Sequence, residues 1–148
     1  MPEPMGAAGI LIHHPTRRVL LQHRTDDAPV NPGRWGMFGG SAEPEDGGDP
    51  IATMHRELHE ELGIDVDASY LVPLWSYITE SGTHRNVYLC SWPALTVDFA
   101  LGEGQGYDWF AIDEALSTLD LTTSSRRDLV SLDAYLAERA GQATPSTP

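Results

Sequence analysis

The stretch Asp49–Gly63, DPIATMHRELHEELG, constrains the chain more than any other, because every signal in it points to one amphipathic α-helix. Asp49 suits the N-cap, where a short acidic side chain accepts hydrogen bonds from the free N–H groups of the first turn. Pro50 suits the first helical position, since its missing N–H would have no partner there. Gly63 suits the residue just past the end, where the backbone turns left-handed. At about 100° per residue, Ile51, Met54, Leu58 and Leu62 share one stripe, the core face. Glu57, Glu60 and Glu61 form a second stripe about 110° round from it. Spacings of three and four bring these carboxylates together, at about 0.2–0.5 kcal/mol of repulsion per pair and more beside a buried face. With no lysine to offset them, a bound cation is the economical explanation. Hard carboxylate oxygens, with no Cys or His in the trio, select Mg²⁺ or Mn²⁺ over zinc. His55 and His59 read as packing or solvent-facing residues, and the helical wheel puts His59 far from the acidic stripe.

The charge of the whole chain agrees. Nine basic residues, all arginine, face 22 acidic ones, for a net charge of −13. Such a field repels phosphate, so a nucleic-acid polymer or an anionic membrane is a poor partner. A phosphorylated small molecule can still be handled if a divalent metal bridges. The acids are clustered as that requires: Glu43, Glu45, Asp46, Asp49, Glu57, Glu60, Glu61, Asp65 and Asp67 are accompanied by Arg56 alone. No apolar run approaches the roughly 18 residues of a membrane span. Met1–Met5 lacks the basic and apolar regions of a signal peptide. Cys90 is the sole cysteine, which excludes an intramolecular disulfide and fits a cytoplasmic location.

The 148 residues make one domain of mixed α/β (α+β) class, expected over residues 6–140, with a short N-terminal tail at 1–5 and a disordered Pro/Thr/Ser tail at 141–148. Ala7–His13 and Arg18–His23 read as strands joined at His14-Pro-Thr. Thr25–Arg34 reads as a loop, and Trp35–Phe38 as a short apolar run ending at Gly39-Gly40. After the helix come strands at Ser69–Thr79, Arg85–Trp92 and Tyr107–Ile112. A short helix is expected at Asp113–Leu119 with an Asp cap, and an amphipathic one at Ser125–Ala140.

Taken together these residues resemble the Nudix box. The family's second half, Arg-Glu-aliphatic-X-Glu-Glu-X-Gly-aliphatic, is matched at every fixed position by Arg56-Glu57-Leu58-His59-Glu60-Glu61-Leu62-Gly63-Ile64. Trp35-Gly-Met-Phe-Gly-Gly40 is similar to the strand that leads into the box in one Nudix subgroup. Leu101-Gly-Glu-Gly-Gln-Gly106, followed by Trp109-Phe110, is similar to that subgroup's Glu-Gly segment and Trp-Phe strand. The first half of the box departs from the pattern. The segment from Gly40 to Pro50 is two residues longer than usual, and Gly48 occupies the position of the box glutamate, leaving Glu45 or Asp46 to loop round in its place.

The resemblance implies an α/β/α sandwich with a mixed central sheet. It also implies metal-dependent hydrolysis of the pyrophosphate bond in a nucleoside diphosphate linked to another moiety. It assigns the metal, Mg²⁺ or Mn²⁺, to Glu57, Glu60 and Glu61 with Gly40 at the site. Arg56, Glu57, Glu60 and Glu103 become the catalytic candidates, with Arg56 orienting a carboxylate and the general base either a helix glutamate or Glu103. Substrate contacts are expected from Arg34, Trp75, Tyr77 and Arg85. Each has a plainer reading: core packing for Trp75 and Tyr77, and also for Tyr88, and surface solvation for the two arginines. A homodimer is compatible with this reading. The alternative is a Nudix fold that binds a nucleotide or nucleotide-sugar without turning it over. An isoprenoid diphosphate isomerase on the same fold ranks below both, because Cys90 is misplaced for it.

Overall fold

Strand β1, Met5–His13, organises the molecule. The computed structural model describes residues 4–102 and 104–148. The remaining strands are β2 (Arg18–His23), β3 (Trp35–Gly36), β4 (Phe38–Ser41), β5 (Val72–Ile78), β6 (His84–Ser91) and β7 (Gly106–Ala111). The helices are α1 (Pro50–Leu62), α2 (Ile112–Thr118) and α3 (Thr123–Glu138). All seven strands join one mixed sheet with the path β3-β2-β1-β6-β5. β1 runs parallel to β6 from Met5↔His84 to Ile12↔Ser91. Its other edge is shared: Gly6–Gly9 pair antiparallel with β4, while Ile12 and His13 pair with β2. β7 closes on the outer side of β2.

The pleat of β1 sends alternate side chains to opposite faces, and both faces are apolar. Ala7 and Leu11 join Leu20 and Phe38 against Met54, Leu58 and Leu62 of α1. Ala8, Ile10 and Ile12 join Val19 and Leu21 against Ile112, Ala115, Leu129, Leu132 and Leu136 of α2 and α3. The result is the expected α/β/α sandwich. The close seat of α1 depends on Gly9, where a Cβ would meet Met54 Sδ at 2.9 Å. Each fully buried Leu or Phe contributes about 1.5–3 kcal/mol.

Several expectations are corrected. β1 starts at Met5, one residue inside the segment expected as a tail, and Pro4 O accepts from His84 N at 2.7 Å. The apolar run at Trp35 is two strands, because Met37 N donates to Ser125 Oγ instead of to a neighbouring strand. α2 begins at Ile112 straight out of β7, with Ala111 and not an aspartate at its N-cap. Asp113 lies in the first turn and accepts from Glu114 N.

Candidate functional site

The ends of α1 are set as its sequence implies. Asp49 accepts from Ile51 N at 3.0 Å, Pro50 opens the helix, and Gly63 takes φ +68°. With its rotation fixed by Met54, Leu58 and Leu62, the helix carries Glu57 and Glu61 inward, at 7 % and 1 % exposure, and leaves the Glu60 side chain 45 % exposed. The two inner glutamates lie against the double glycine of β4. Gly39 N donates to Glu61 Oε1 at 3.2 Å. Gly40 is flush with the Glu57 carboxylate, so that a Cβ there would stand 2.5 Å from Oε1 and 2.7 Å from Cδ. Gly39, at φ +148°, packs on the Ala7 carbonyl and leaves no room for any side chain.

Arg56 gathers the acids. Its NH1 donates to Glu57 Oε1 at 2.9 Å and to Glu60 Oε2 at 3.2 Å, and its NH2 to Ser41 O at 3.0 Å. Nε and NH2 make a two-pronged bond to Asp46 at 3.0 and 2.9 Å. Glu43 stands 3.6 Å from NH1. Asp46 is buried and accepts further from Thr53 Oγ1 and Glu43 N. The Arg56 guanidinium therefore holds the Asp46 carboxyl far below the usual carboxylate range, and Asp46 in return pushes Arg56 up. Of the two acids in the lengthened segment, Asp46 is the one folded inward. It reaches the glutamates through Arg56.

Among the described residues, no three His, Cys, Asp or Glu side chains converge in a ready-made metal cluster. Arg56 occupies oxygens of Glu57 and Glu60 instead. The donor chemistry still fits a hard cation, since carboxylate oxygens and the adjoining Gly40 main chain supply no sulfur or imidazole. His59 is tied to Asp65 at 3.0 Å and His55 to Val66 O at 2.8 Å, both away from the acids.

On the other side of Gly39 and Gly40 lies a cleft of about 390 Å³. It sits where β4 and β2 part from β1, and it is walled by Gln22, Arg24, the β5–β6 turn at Thr79–Thr83, Arg85 and the N-terminus of α3 from Thr122 to Ser125. Arg24 Nε donates to Val30 O at 2.8 Å. Of the residues expected at the substrate, Arg85 lines this cleft, while Arg34, Trp75 and Tyr77 do not. Arg34 lies 3.7 Å from Asp120 on the surface. Trp75 Nε1 and Tyr77 OH turn toward α3 and donate to Asp128 Oδ1 at 3.1 and 2.9 Å. Burial and the Asp128 charge push the Tyr77 hydroxyl up to about 12.

Glu103 lies outside the described residues. Its neighbour Gly102 donates from N to Glu61 O at 2.8 Å, and a Cβ on Gly102 would strike the Glu60 carbonyl, so Gly102 itself is seated at the C-terminal end of α1. Cys90 is buried in β6, and burial pushes its thiol up to about 12, which removes it as a nucleophile. Sequence reasoning missed Gln22, Arg24 and Asp128. Asp128 carried one readable signal, an acid beside Leu129 and Leu132 on the apolar face of α3.

No curated protein matches the chain. Solved structures do. The E. coli ORF135 protein is 25 % identical, with a TM-score of 0.70 over 94 % of each chain. A MutT protein from a study of Aliivibrio salmonicida and Vibrio cholerae is 23 % identical, with a TM-score of 0.70 over 89 % of this chain and 98 % of that one. The NUDIX domain of Shewanella oneidensis NrtR, solved with ADP ribose, is 17 % identical, with a TM-score of 0.73 over 92 % of this chain and 90 % of that one. The model of the NUDIX domain matches residues 3–132. With that match spanning most of the sandwich and the whole of the α1 box, the chain belongs to the NUDIX domain family.

Proposed function

We propose that this chain hydrolyses the pyrophosphate bond of a nucleoside diphosphate linked to another moiety. Glu57, Glu60 and Glu61, beside the Gly40 main chain, would hold Mg²⁺ or Mn²⁺. The observation that carries the reading is the seat of Glu57 and Glu61 against Gly39-Gly40, the two glycines that also line a cleft of about 390 Å³. Family membership supports pyrophosphate hydrolysis in general.

Cleaving a pyrophosphate demands positioning and charge neutralisation more than covalent chemistry. A bound divalent metal would supply screening of phosphate charge and a water of lowered pKa. The chain's own part is to orient. Arg56 spaces the Glu57 and Glu60 carboxylates, Asp46 locks Arg56, and Gly39 N fixes one oxygen of Glu61. Removing the proton from the attacking water falls to Glu103 or to the exposed Glu60. Arg24 and Arg85 are the cations that face the cleft from the side opposite the acids.

Formation of nucleoside monophosphate and the phosphorylated second moiety from a panel of nucleoside diphosphate derivatives, with and without Mg²⁺, tests the proposal. Glu57→Gln or Glu61→Gln should lower turnover by orders of magnitude in a folded protein, about 10²–10⁴-fold for a group of this kind. Full activity in EDTA, or unchanged turnover in either variant, would defeat the metal assignment.

One observation favours a second reading, a nucleotide or nucleotide-sugar sensor without turnover: Arg56 already neutralises Glu57 and Glu60. The ADP ribose bound by the NrtR domain is a ligand of that class. Tight binding of such a ligand, with no nucleoside monophosphate formed over hours in Mg²⁺, would select it.

A further inference from the structure

Asp128 is fully buried, at 0 % exposure, on the face of α3 that packs against the sheet. A carboxylate in such a place is costly unless its oxygens are all engaged. Three donors from the sheet engage it: Trp75 Nε1 and Tyr77 OH on Oδ1, and Arg85 Nε on Oδ2 at 2.8 Å. Such an arrangement can serve simply to tie α3 to β5 and β6. Three apolar side chains would do that at least as well, since buried ion pairs are rarely better than the hydrophobic packing they replace.

The geometry at Arg85 goes beyond a tie. Asp128 takes the guanidinium by its Nε, NH2 reaches Met37 Sδ at 3.8 Å, and Arg85 lines the cleft with Met37. A guanidinium held this way is a rigid fork, suited to two adjacent acceptors on one planar group. The pair is also electrically neutral as a unit. The β5–β6 turn and the N-terminus of α3 add uncharged groups to the lining, Thr79, Thr83, Thr122, Thr123 and Ser124, and Arg24 is its other cation. The charged groups that suit a diphosphate, Arg56 and the α1 glutamates, lie beyond Gly39 and Gly40. The cleft lining thus holds neutral donors together with Arg85, and none of the acids.

We propose that Asp128 is a positioning residue: it aims Arg85 at the uncharged planar part of the substrate, the acceptor edge of a nucleobase, and not at its phosphates. This rests on the nucleotide reading above but not on catalysis, so it is tested by binding. Isothermal titration calorimetry with AMP, GMP, CMP and UMP in the absence of metal measures base recognition directly. Asp128→Asn keeps an acceptor for Trp75 and Tyr77 but presents an amide N–H₂ to Arg85. Arg85→Lys keeps a charge for Asp128 but removes the fork. Each should weaken the best-bound nucleotide by tenfold or more, and the double variant by no more than the larger single effect. Leu132→Val, a core change on the same helix, should lower the melting temperature while leaving Kd unchanged.

Wild-type Kd in Arg85→Lys overturns the proposal whether or not Asp128→Asn folds. So do additive losses in the double variant, equal weakening by Leu132→Val, or failure of the wild type to bind any of the four nucleotides. Lack of turnover in Mg²⁺ with this binding pattern intact would instead refute hydrolysis and leave the role of Asp128 standing.

Discussion

Gly40→Ala separates the stability of the fold from the geometry of the site. Gly40 does not lie at positive φ, so alanine meets no backbone strain there. What its Cβ meets is the Glu57 carboxylate, at 2.5 Å from Oε1, 2.7 Å from Cδ and 2.9 Å from Oε2. A carbon and an oxygen need about 3.4 Å for ordinary contact, so Oε1 must retreat by about 0.9 Å. The atom in the way is the end of a flexible side chain, and it can move. Replacing Gly in a compatible conformation stabilises by about 0.4–1 kcal/mol through the unfolded state. That offsets the loosened Arg56–Glu57 hydrogen bond, worth about 1.5–3 kcal/mol at most. The melting temperature should therefore fall by only a few degrees. Turnover should fall about 100-fold, because metal ligands tolerate about 0.2 Å and a 1 Å misplacement costs about 10² in rate. Scanning fluorimetry beside the kinetics of nucleoside monophosphate formation, over a Mg²⁺ titration, reads both quantities. Gly39→Ala is the contrast, since its Cβ would strike the Ala7 carbonyl and the Ala8 main chain and the protein should fail to fold. A folded Gly40→Ala enzyme within threefold of wild-type turnover would refute the role given to the Glu57 position.

Asp46 sets a pH dependence. Its folded pKa is depressed by Arg56, so its stabilising effect is complete above the unfolded value of about 3.9 and is lost as pH falls through that value toward the folded one. The melting-temperature gap between wild type and Asp46→Asn should be constant from neutral pH down to about 4 and shrink below it; a gap independent of pH would contradict the pairing. Cys90, with its thiol raised to about 12 by burial, should resist iodoacetamide in the folded protein and react once it is unfolded, and rapid labelling of the native chain would count against its burial. Glu103→Gln should leave the melting temperature nearly unchanged and lower kcat at least about 100-fold if Glu103 is the base. Turnover within a few-fold of wild type would move that role to Glu60.

What the sequence made legible follows from the range of the interactions involved. The cap at Asp49, the start at Pro50 and the left-handed Gly63 are local, set within a few residues by helical geometry, and stand as read, whereas the three glutamates read as one stripe divide into buried Glu57 and Glu61 and exposed Glu60. β2 likewise has the expected bounds. The inward fold of Asp46 was half visible: a carboxylate was expected to curl back from the lengthened segment, but its direct partner is Arg56. The break between β3 and β4 was not visible, because it depends on Ser125 Oγ, 88 residues from Met37. Trp75 and Tyr77 read as strand aromatics able to meet a base. Their polar ends turn to Asp128, 53 and 51 residues away, and helix or strand periodicity carries no information across such a span.

The parallel pairing of β1 with β6 has a consequence for the order in which the molecule can assemble. The groups proposed to face a diphosphate, from Gly39 through Arg56 to Glu61, lie on β4 and α1, which follow β1 in the chain ahead of β5 and β6. Arg85 and the α3 residues that wall the cleft arrive with β6 and α3, and β1 finds β6 only across a sequence separation of 79, as at Met5↔His84. Closing so long a loop is slow relative to local helix formation. On a ribosome, residues 5–63 emerge with every acidic group of the box and with Gln22 and Arg24, but without Arg85 or the N-terminus of α3. A chain interrupted before β6 would carry the chemistry without the selectivity, and the late closure of β1 on β6 is the step that joins the two.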